Sequence, residues 1–236
     1  MNFQKEYPPV AMGADISLKS FEIITHELQK YPKIHTFNKA EQALICRLIH
    51  TTTCFDEVLE NIYFSADAIE RIKSVLQKRA KIIVDVSMIH VGLSNFYLNT
   101  YENEVVCYIN EPFTHALAQE RKTTRSYAAV SEAIQRHQNE PMVFVCGNAP
   151  TFIYAAINTL LDLHVKLENV CFVLFPVGFV NVIESKEYAK RFCEQFKIPL
   201  VMMQGRFGGS TMAVAALHAI YKAIEDFDGV SKYNGK

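Results

Sequence analysis

One histidine of the chain is placed where it could transfer a proton. His50 ends a mostly apolar stretch, residues 43–49, and three threonines follow it directly in the segment RLIHTTTCFDEV. An unperturbed imidazole titrates near neutral pH, so it can donate or accept a proton during a reaction. A histidine packed at the end of a buried helix would show the same pattern. This segment alone leaves both interpretations open.

Glycine-rich segments elsewhere in the chain could bind anions. In QGRFGGSTMAV, residues 205–210 join an apolar run to an alanine-rich one. Free N–H groups at a helix start bind carboxylate or phosphate, and Arg206 adds a bidentate donor. The segments CGNAPT and PVGFVNVIESK bring Gly147, Asn148 and Lys186 to similar turns. Each segment is equally consistent with plain strand-to-helix geometry, because glycines are common at such turns.

These segments follow apolar runs that predict β-strands. The predicted strands are residues 81–89, 104–109, 141–147, 169–178 and 199–205. The predicted helices are residues 67–79, 111–138 (one or two helices), 149–163, 184–196 and 208–224, and most of the first eighty residues also have helical patterns. Continuous apolar runs that alternate with helices indicate a parallel sheet covered on both faces. Ligands of such sheets bind at the carboxyl ends of the strands, where the glycine-rich segments fall.

Composition excludes several classes of protein. The 236 residues are 50% hydrophobic and predict one domain over residues 1–236, with a polar tail at the C-terminus. A net charge of −1 argues against a nucleic-acid-binding protein, and no apolar run is long enough to span a membrane. The six cysteines form no C-x-x-C pair, which favours the reducing cytoplasm. Neither a nucleotide-binding glycine motif nor a metal-ligand spacing is present.

Six short segments of the chain form a recognisable set. They are SFEII (20–24), RLIHTT (47–52), TRSYAA (124–129), GNAPT (147–151), PVGFV with ESK (176–180 and 184–186) and GRFGGS (205–210). Taken together, they resemble the precorrin-8X methylmutases of cobalamin biosynthesis. The resemblance extends over about residues 12–222, which is nearly the whole chain. Six segments in the same order and spacing are far more specific than any one of them.

The resemblance implies a fold, a reaction and a set of site residues. The implied fold is a flavodoxin-like, three-layer α/β/α arrangement with a mainly parallel five-stranded sheet and a helical N-terminal portion. The implied enzyme is a cofactor-free, homodimeric isomerase without a bound metal. It moves a methyl group from C11 to C12 of precorrin-8, or of its cobalt form, to give hydrogenobyrinic or cobyrinic acid. The family's catalytic histidine falls on His50. The predicted substrate-binding residues are Ser20, Thr51, Thr124, Arg125, Ser126, Gly147, Asn148, Lys186, Arg206, Gly208, Gly209 and Ser210.

A tetrapyrrole of this kind needs separate receptors for its carboxylate arms and apolar surface for its ring faces. Arg125, Lys186 and Arg206 are assigned to the carboxylates, and Phe179 or Met88 to the rings.

Two alternative functions and two residue roles remain open beside this prediction. A tetrapyrrole carrier without catalytic activity would also bind the acidic macrocycle, but it would tolerate loss of His50. A flavodoxin-like regulator that binds a small anion would need only one of the glycine-rich loops. For Asp85 two roles are open, since its carboxylate could orient His50 or cap a turn. His90 could be a second acid or base, or a loop histidine without a chemical role.

Overall fold

The computed structural model describes residues 13–227, with side chains for residues 16–224. Six strands occur in this part of the chain: β1 (Ile62–Phe64), β2 (Lys81–Val84), β3 (Glu104–Val106), β4 (Met142–Cys146), β5 (Val170–Leu174) and β6 (Leu200–Met203). The α-helices are α1 (Gly13–Leu28), α2 (Lys39–Thr52), α3 (Phe55–Asn61), α4 (Ala68–Leu76), α5 (Ser87–Gly92), α6 (Asn95–Thr100), α7 (Pro112–Glu120), α8 (Arg125–His137), α9 (Pro150–Asp162), α10 (Val182–Phe196) and α11 (Ser210–Phe227). Short 3-10 helices cover Pro32–Thr36 and Leu167–Asn169. The polar tail from residue 228 onward lies outside the described residues.

The strands form one sheet in the order β1-β6-β5-β4-β2-β3. All pairs from β6 to β3 are parallel, and β1 pairs antiparallel with β6 at the edge. The five parallel strands, counted along the chain, have the spatial order 2-1-3-4-5 of flavodoxin-like folds. The predicted α/β class is therefore confirmed. The predicted count of five strands was one too low, because β1 has only three residues inside an otherwise helical region.

The sheet separates two hydrophobic cores. Side chains of β2 alternate between them: Ile82 and Val84 belong to the core under α2, α4 and α11, whereas Ile83 belongs to the core under α8, α9 and α10. Every residue of β4 and of β5 is buried, as expected for central strands covered on both faces. This double coverage explains why the strands appear in the sequence as continuous apolar runs.

The strands end earlier than the apolar runs predicted. The run 81–89 is a strand only to Val84, and a helix begins at Ser87. Between them, the buried side chain of Asp85 accepts hydrogen bonds from the next strand-end loop. β5 ends at Leu174, shortly before Pro176, a residue type that has no N–H group for the ladder. The freed residues build the loops at the carboxyl edge of the sheet.

Helix caps fix the ends of two elements that matter for the site. A capping box joins Asn38 and Glu41 at the start of α2, and Thr53 ends that helix in a left-handed conformation. Thr124 caps α8 by accepting a hydrogen bond from the N–H of Tyr127. The end of α2 at Thr53 places His50 in the last turn of that helix, and the cap at Thr124 places Arg125 at the first position of α8.

Within residues 13–227, no helix combines the length and apolar character that a membrane span requires.

Candidate active site

His50 is exposed on the last turn of α2 and is held by a ring contact. Its imidazole stacks on Phe21 of α1 with 4.8 Å between ring centroids and 14° between the planes. The guanidinium carbon of Arg47, one turn earlier on α2, lies 5.8 Å from the centre of the Phe21 ring. The stack orients the imidazole face while the side chain stays open to solvent. A histidine in this setting is available to a ligand, in contrast to the buried packing histidine that the sequence also allowed.

Two predicted hydroxyl groups lie on the same helices as this stack. Ser20 Oγ donates to the carbonyl of Ile16 at 2.9 Å, and Thr51 Oγ1 donates to the carbonyl of Arg47 at 2.9 Å. Each hydroxyl proton is therefore engaged within its own helix. The oxygen lone pairs are the part of each group that remains to accept a hydrogen bond from a ligand.

A groove of about 680 Å³ opens beside Phe21, between α1, α2, α4 and α11. Its lining is rich in cations: Lys39, Arg47, Lys73 and Lys222, against a single acid, Glu70, which pairs with Lys73 at 3.1 Å. The sequence analysis did not select any of these residues, because isolated basic residues on amphipathic helices are usually just a solvated face. The only available signal was Arg47, which lies inside the segment RLIHTT.

The loop after β4 is organised by Asp85, which is 2% exposed. Its carboxylate accepts hydrogen bonds from the backbone N–H groups of Gly147 (3.0 Å), Asn148 (2.8 Å) and Ala149 (2.7 Å), and from the thiol of Cys146 (3.4 Å). Burial raises the pKa of Asp85, and these four donors oppose that increase. Of the two roles left open for Asp85, the structure shows the turn cap. The backbone donors of Gly147 and Asn148 are thus already bound to an internal anion, and the exposed Asn148 side chain faces outward.

The loop after β6 is organised by a buried cation instead. The Lys186 ammonium donates to the carbonyls of Gly205 (2.8 Å) and Phe207 (3.0 Å), and the residue is 2% exposed. Burial lowers the pKa of Lys186 to about 8. The structure therefore places Lys186 behind the loop and not on the surface where the sequence analysis expected a carboxylate receptor.

Glycines allow the three strand-end loops to pack against one another. A Cβ at Gly147 would lie 2.5 Å from the Cα of Ser210, and a Cβ at Gly208 would lie 2.3 Å from the carbonyl oxygen of Phe175. Gly209 donates its N–H to the same carbonyl at 2.7 Å. The loops after β4, β5 and β6 therefore form one continuous surface, as their adjacent strands predicted.

Two predicted binding residues, Arg206 and Phe179, meet on this surface. The Arg206 guanidinium carbon lies 5.5 Å from the centre of the Phe179 ring, which is 84% exposed. An exposed cation over an exposed aromatic face offers a carboxylate receptor beside an apolar plane. Met88, the other residue assigned to ring contact, is 61% exposed at the start of α5, and His90 is exposed on the same short helix.

The segment 124–126 joins the loop surface through α9. The hydroxyl of Thr124 donates to Thr151 Oγ1 at 3.0 Å, which ties the start of α8 to the first turn of α9. Arg125 is exposed there, and Ser126 is half-buried. The structure thus places the predicted residues in two groups, one around His50 and one on the loop surface. Over residues 16–224, no side-chain hydrogen bond, ion pair or ring contact joins them. α2 packs against α11, which begins at the loop surface.

Comparisons with known proteins agree on one family. The sequence profile described as CbiC, precorrin-8X methylmutase, matches residues 15–223. The chain is 36% identical over 206 residues to a protein of Salmonella typhimurium named cobalt-precorrin-8 methylmutase, covering 87% of this chain and 92% of that one. The chain belongs to the precorrin-8X methylmutase family.

Further members show the same relation. The precorrin-8X methylmutase of a Sinorhizobium species is 32% identical over 215 residues, which cover 91% of this chain and 97% of the relative. A crystal structure titled as the precorrin-8x methyl mutase of Thermus thermophilus superimposes with a TM-score of 0.75 at 33% identity, over 94% of this chain and all of that one. The resemblance predicted from the six segments is confirmed. The chain is a methylmutase, an isomerase of cobalamin biosynthesis.

Among residues 13–227, no three His, Cys, Asp or Glu residues are grouped as ligands for a metal ion. The exposed imidazole of His50 is a group that can transfer a proton, and the Arg47 guanidinium lies one helical turn from it. The sequence analysis missed Phe21 as the ring that stacks on His50, although Phe21 lies in the segment SFEII.

Proposed function

We propose that the chain moves the methyl group on C11 of precorrin-8, or of its cobalt form, to C12, which gives hydrogenobyrinic or cobyrinic acid. The observation that carries this proposal is the exposed, stacked imidazole of His50 in a chain of the methylmutase family. Related proteins that cover most of this chain carry both forms of the name, with and without cobalt.

In the proposed mechanism, His50 is the proton donor. Protonation of a pyrrolic nitrogen or a ring carbon withdraws electrons from the conjugated system and favours migration of the methyl group to C12. The group moves within one molecule, so no external methyl acceptor is needed, and the proton returns to the imidazole when the shift is complete. The stack on Phe21 supports this role because it holds the imidazole in one orientation before the substrate arrives.

The carboxylate arms of the substrate are bound by arginines in this proposal. Arg125 and Arg206 are exposed on the loop surface, and the half-buried Arg47 adds a third guanidinium within one turn of His50. Phe179 offers its ring face to the macrocycle, and the first turn of α11, which begins at Ser210, offers the N–H groups of a helix N-terminus. Ser20 and Thr51 accept hydrogen bonds near the imidazole.

His50→Ala tests the proposal. The purified variant and wild type are incubated without oxygen with precorrin-8 and, separately, with its cobalt form, while the visible spectrum reports the corrin product. On mixing with substrate, the variant should give the same spectral change as wild type, which reports binding. It should then convert the substrate at least about 100-fold more slowly, as expected for loss of a general acid. His115→Ala, an exposed histidine on α7, is the matched control and should keep wild-type activity.

Two other outcomes would contradict the proposal. If wild type binds the tetrapyrrole and never converts it, the chain is a carrier. If His50→Ala converts it as fast as wild type, the proton comes from another group.

We further propose that the enzyme is a homodimer of the cytoplasm. Exposed apolar side chains on α1, namely Ile16, Leu18 and Ile23 at 56–63% exposure, support a second copy as the partner. All six cysteines are free thiols, which supports a reducing compartment. Light scattering after size exclusion should give about twice the 26.9 kDa mass of one chain; a single-chain mass would contradict the dimer.

A further inference from the structure

Lys186 of α10 supports the turn that carries Arg206. Its Nζ lies 2.8 Å from the carbonyl oxygen of Gly205 and 3.0 Å from that of Phe207, the two residues that flank the arginine. The lysine is 2% exposed, whereas Arg206 is exposed. The buried cation therefore holds the backbone from behind while the arginine side chain lies in front.

We propose that Lys186 is a positioning residue of the active site, which fixes the turn 205–209 so that Arg206 meets a carboxylate of the substrate. This inference rests on the function proposed above, because it takes the substrate to be an acid with several carboxylate arms. Lys186 acts through the turn and does not touch the substrate.

The rest of the turn is fixed by backbone contacts. The carbonyl of Arg206 accepts the N–H of Gly178 at 3.4 Å, so the carbonyls of three successive residues, 205–207, all have donors. The N–H of Gly209 donates to Phe175 at 2.7 Å. The single ammonium of Lys186 supplies two of the three hydrogen bonds that these carbonyls accept. Removing that ammonium would free the turn on both sides of Arg206.

The packing around Lys186 keeps its ammonium away from the surface. The residue is 2% exposed, and two of the three ammonium N–H groups donate to carbonyls inside the protein. In the same turn, Gly208 packs so closely against the preceding loop that a Cβ would lie 2.3 Å from the carbonyl oxygen of Phe175. The lysine therefore contacts the backbone of the turn from the protein interior.

A lysine at this buried position costs desolvation energy, and that cost supports a role for its N–H donors. Burial lowers the pKa of Lys186 to about 8, which means that the fold disfavours the charged form. An apolar side chain would avoid this desolvation, but it would leave the two carbonyls unpaired. The long side chain spans from α10 to the turn and supplies more than one donor at its end.

Lys186→Met is the variant that tests the proposal, because methionine fills similar space without a donor. Lys190→Met is the matched control one turn along α10, where the lysine contacts Glu194 and the Tyr63 ring at the surface. Hydrogen–deuterium exchange of the peptide 204–210 reports the turn directly, and KM and kcat for methyl migration report the site. We expect exchange of this peptide to speed up at least about tenfold and KM to rise about tenfold, with kcat within about threefold of wild type.

Several results would overturn the proposal. Unchanged exchange at 204–210 would show that Lys186 does not fix the turn. Faster exchange with an unchanged KM would show that the turn does not position a binding group. A fall in kcat at constant KM would place the lysine at the reacting atoms.

Two additions keep the outcome decisive. If Lys186→Met does not fold, Lys186→Gln replaces it, because glutamine retains an N–H donor on a shorter side chain. Relative to wild type, Lys186→Gln should still show faster exchange and a higher KM, each by less than about tenfold. If wild type itself converts no substrate, the proposed function has failed. In that case, two measurements still test whether Lys186 positions Arg206: hydrogen–deuterium exchange of the peptide 204–210, and the affinity for hydrogenobyrinic acid from absorbance titration.

Discussion

The loops after β4 and after β6 look alike in sequence and are built in opposite ways. Both join a buried strand to a helix through glycines, and both were predicted to bind anions. In the first, the Asp85 carboxylate takes up the backbone N–H groups of residues 147–149. In the second, the Lys186 ammonium takes up the carbonyls of Gly205 and Phe207.

The difference decides which loop can receive a ligand. A loop whose N–H groups already bind an internal carboxylate has fewer donors left for an external anion. A loop whose carbonyls are bound by an internal cation presents its remaining donors and its arginine outward, with a positive charge behind them. We therefore expect the loop after β6, and not the loop after β4, to be the anion receptor.

The largest expected effect comes from removing the internal anion. Asp85→Ala leaves three backbone N–H groups, of which that of Gly147 is buried, without their acceptor, and the free energy of unfolding should fall by about 4 kcal/mol. Urea denaturation followed by circular dichroism measures this change. Asp162→Ala, at an exposed acid on α9, should change stability by less than about 0.5 kcal/mol. Equal effects of the two variants would remove the distinction on which the comparison rests.

The internal cation should show itself in the pH dependence of stability. Because the folded-state pKa of Lys186 is about 8, below its usual 10.5, the unfolded chain binds that proton more tightly between these pH values. The stability of wild type should therefore rise relative to Lys186→Met as pH increases from 8 to 10.5, by at most about 1.4 kcal/mol per pH unit. Parallel curves for the two proteins would contradict the charged, buried state.

A smaller effect should separate the outward faces of the two loops. Arg206→Gln should raise KM for the tetrapyrrole about tenfold, since it removes a charge-assisted contact to a carboxylate. Asn148→Ala, on the other loop, should raise KM less than about threefold, because it removes one neutral donor. Steady-state kinetics at fixed ionic strength compares them. The reverse order would assign the anion receptor to the loop that Asp85 organises.

The architecture was predictable from sequence where burial imposes a pattern. The central parallel strands are continuous apolar runs because helices cover both faces, and all five parallel strands were found close to their predicted positions. Residues 86–89 were assigned to a strand in error, since Val86, Met88 and Ile89 are as apolar as strand residues and their helix α5 has only six residues. β1 was missed because three residues at a sheet edge carry too little pattern to be recognised.

The site was only partly predictable because its contacts are long-range. The position of His50 followed from the six-segment resemblance, but its stack on Phe21 joins residues of two different helices and has no local signature. Asp85 meets donors 62–64 positions later in the chain, and Lys186 meets carbonyls 19 and 21 positions later. Contacts of that range to backbone atoms leave no trace in residue types. For this reason Lys186 was assigned to the surface that it supports from within.

The most direct test of the central claim follows the methyl group itself. Precorrin-8 labelled with carbon-13 in the C11 methyl group is incubated without oxygen with stoichiometric wild-type enzyme, and carbon NMR locates the label in the product. Methyl migration predicts that the whole label appears on C12 of hydrogenobyrinic acid, and that His50→Ala leaves it on C11. Recovery of the label on C11 from the wild-type protein, with the tetrapyrrole bound, would contradict the account.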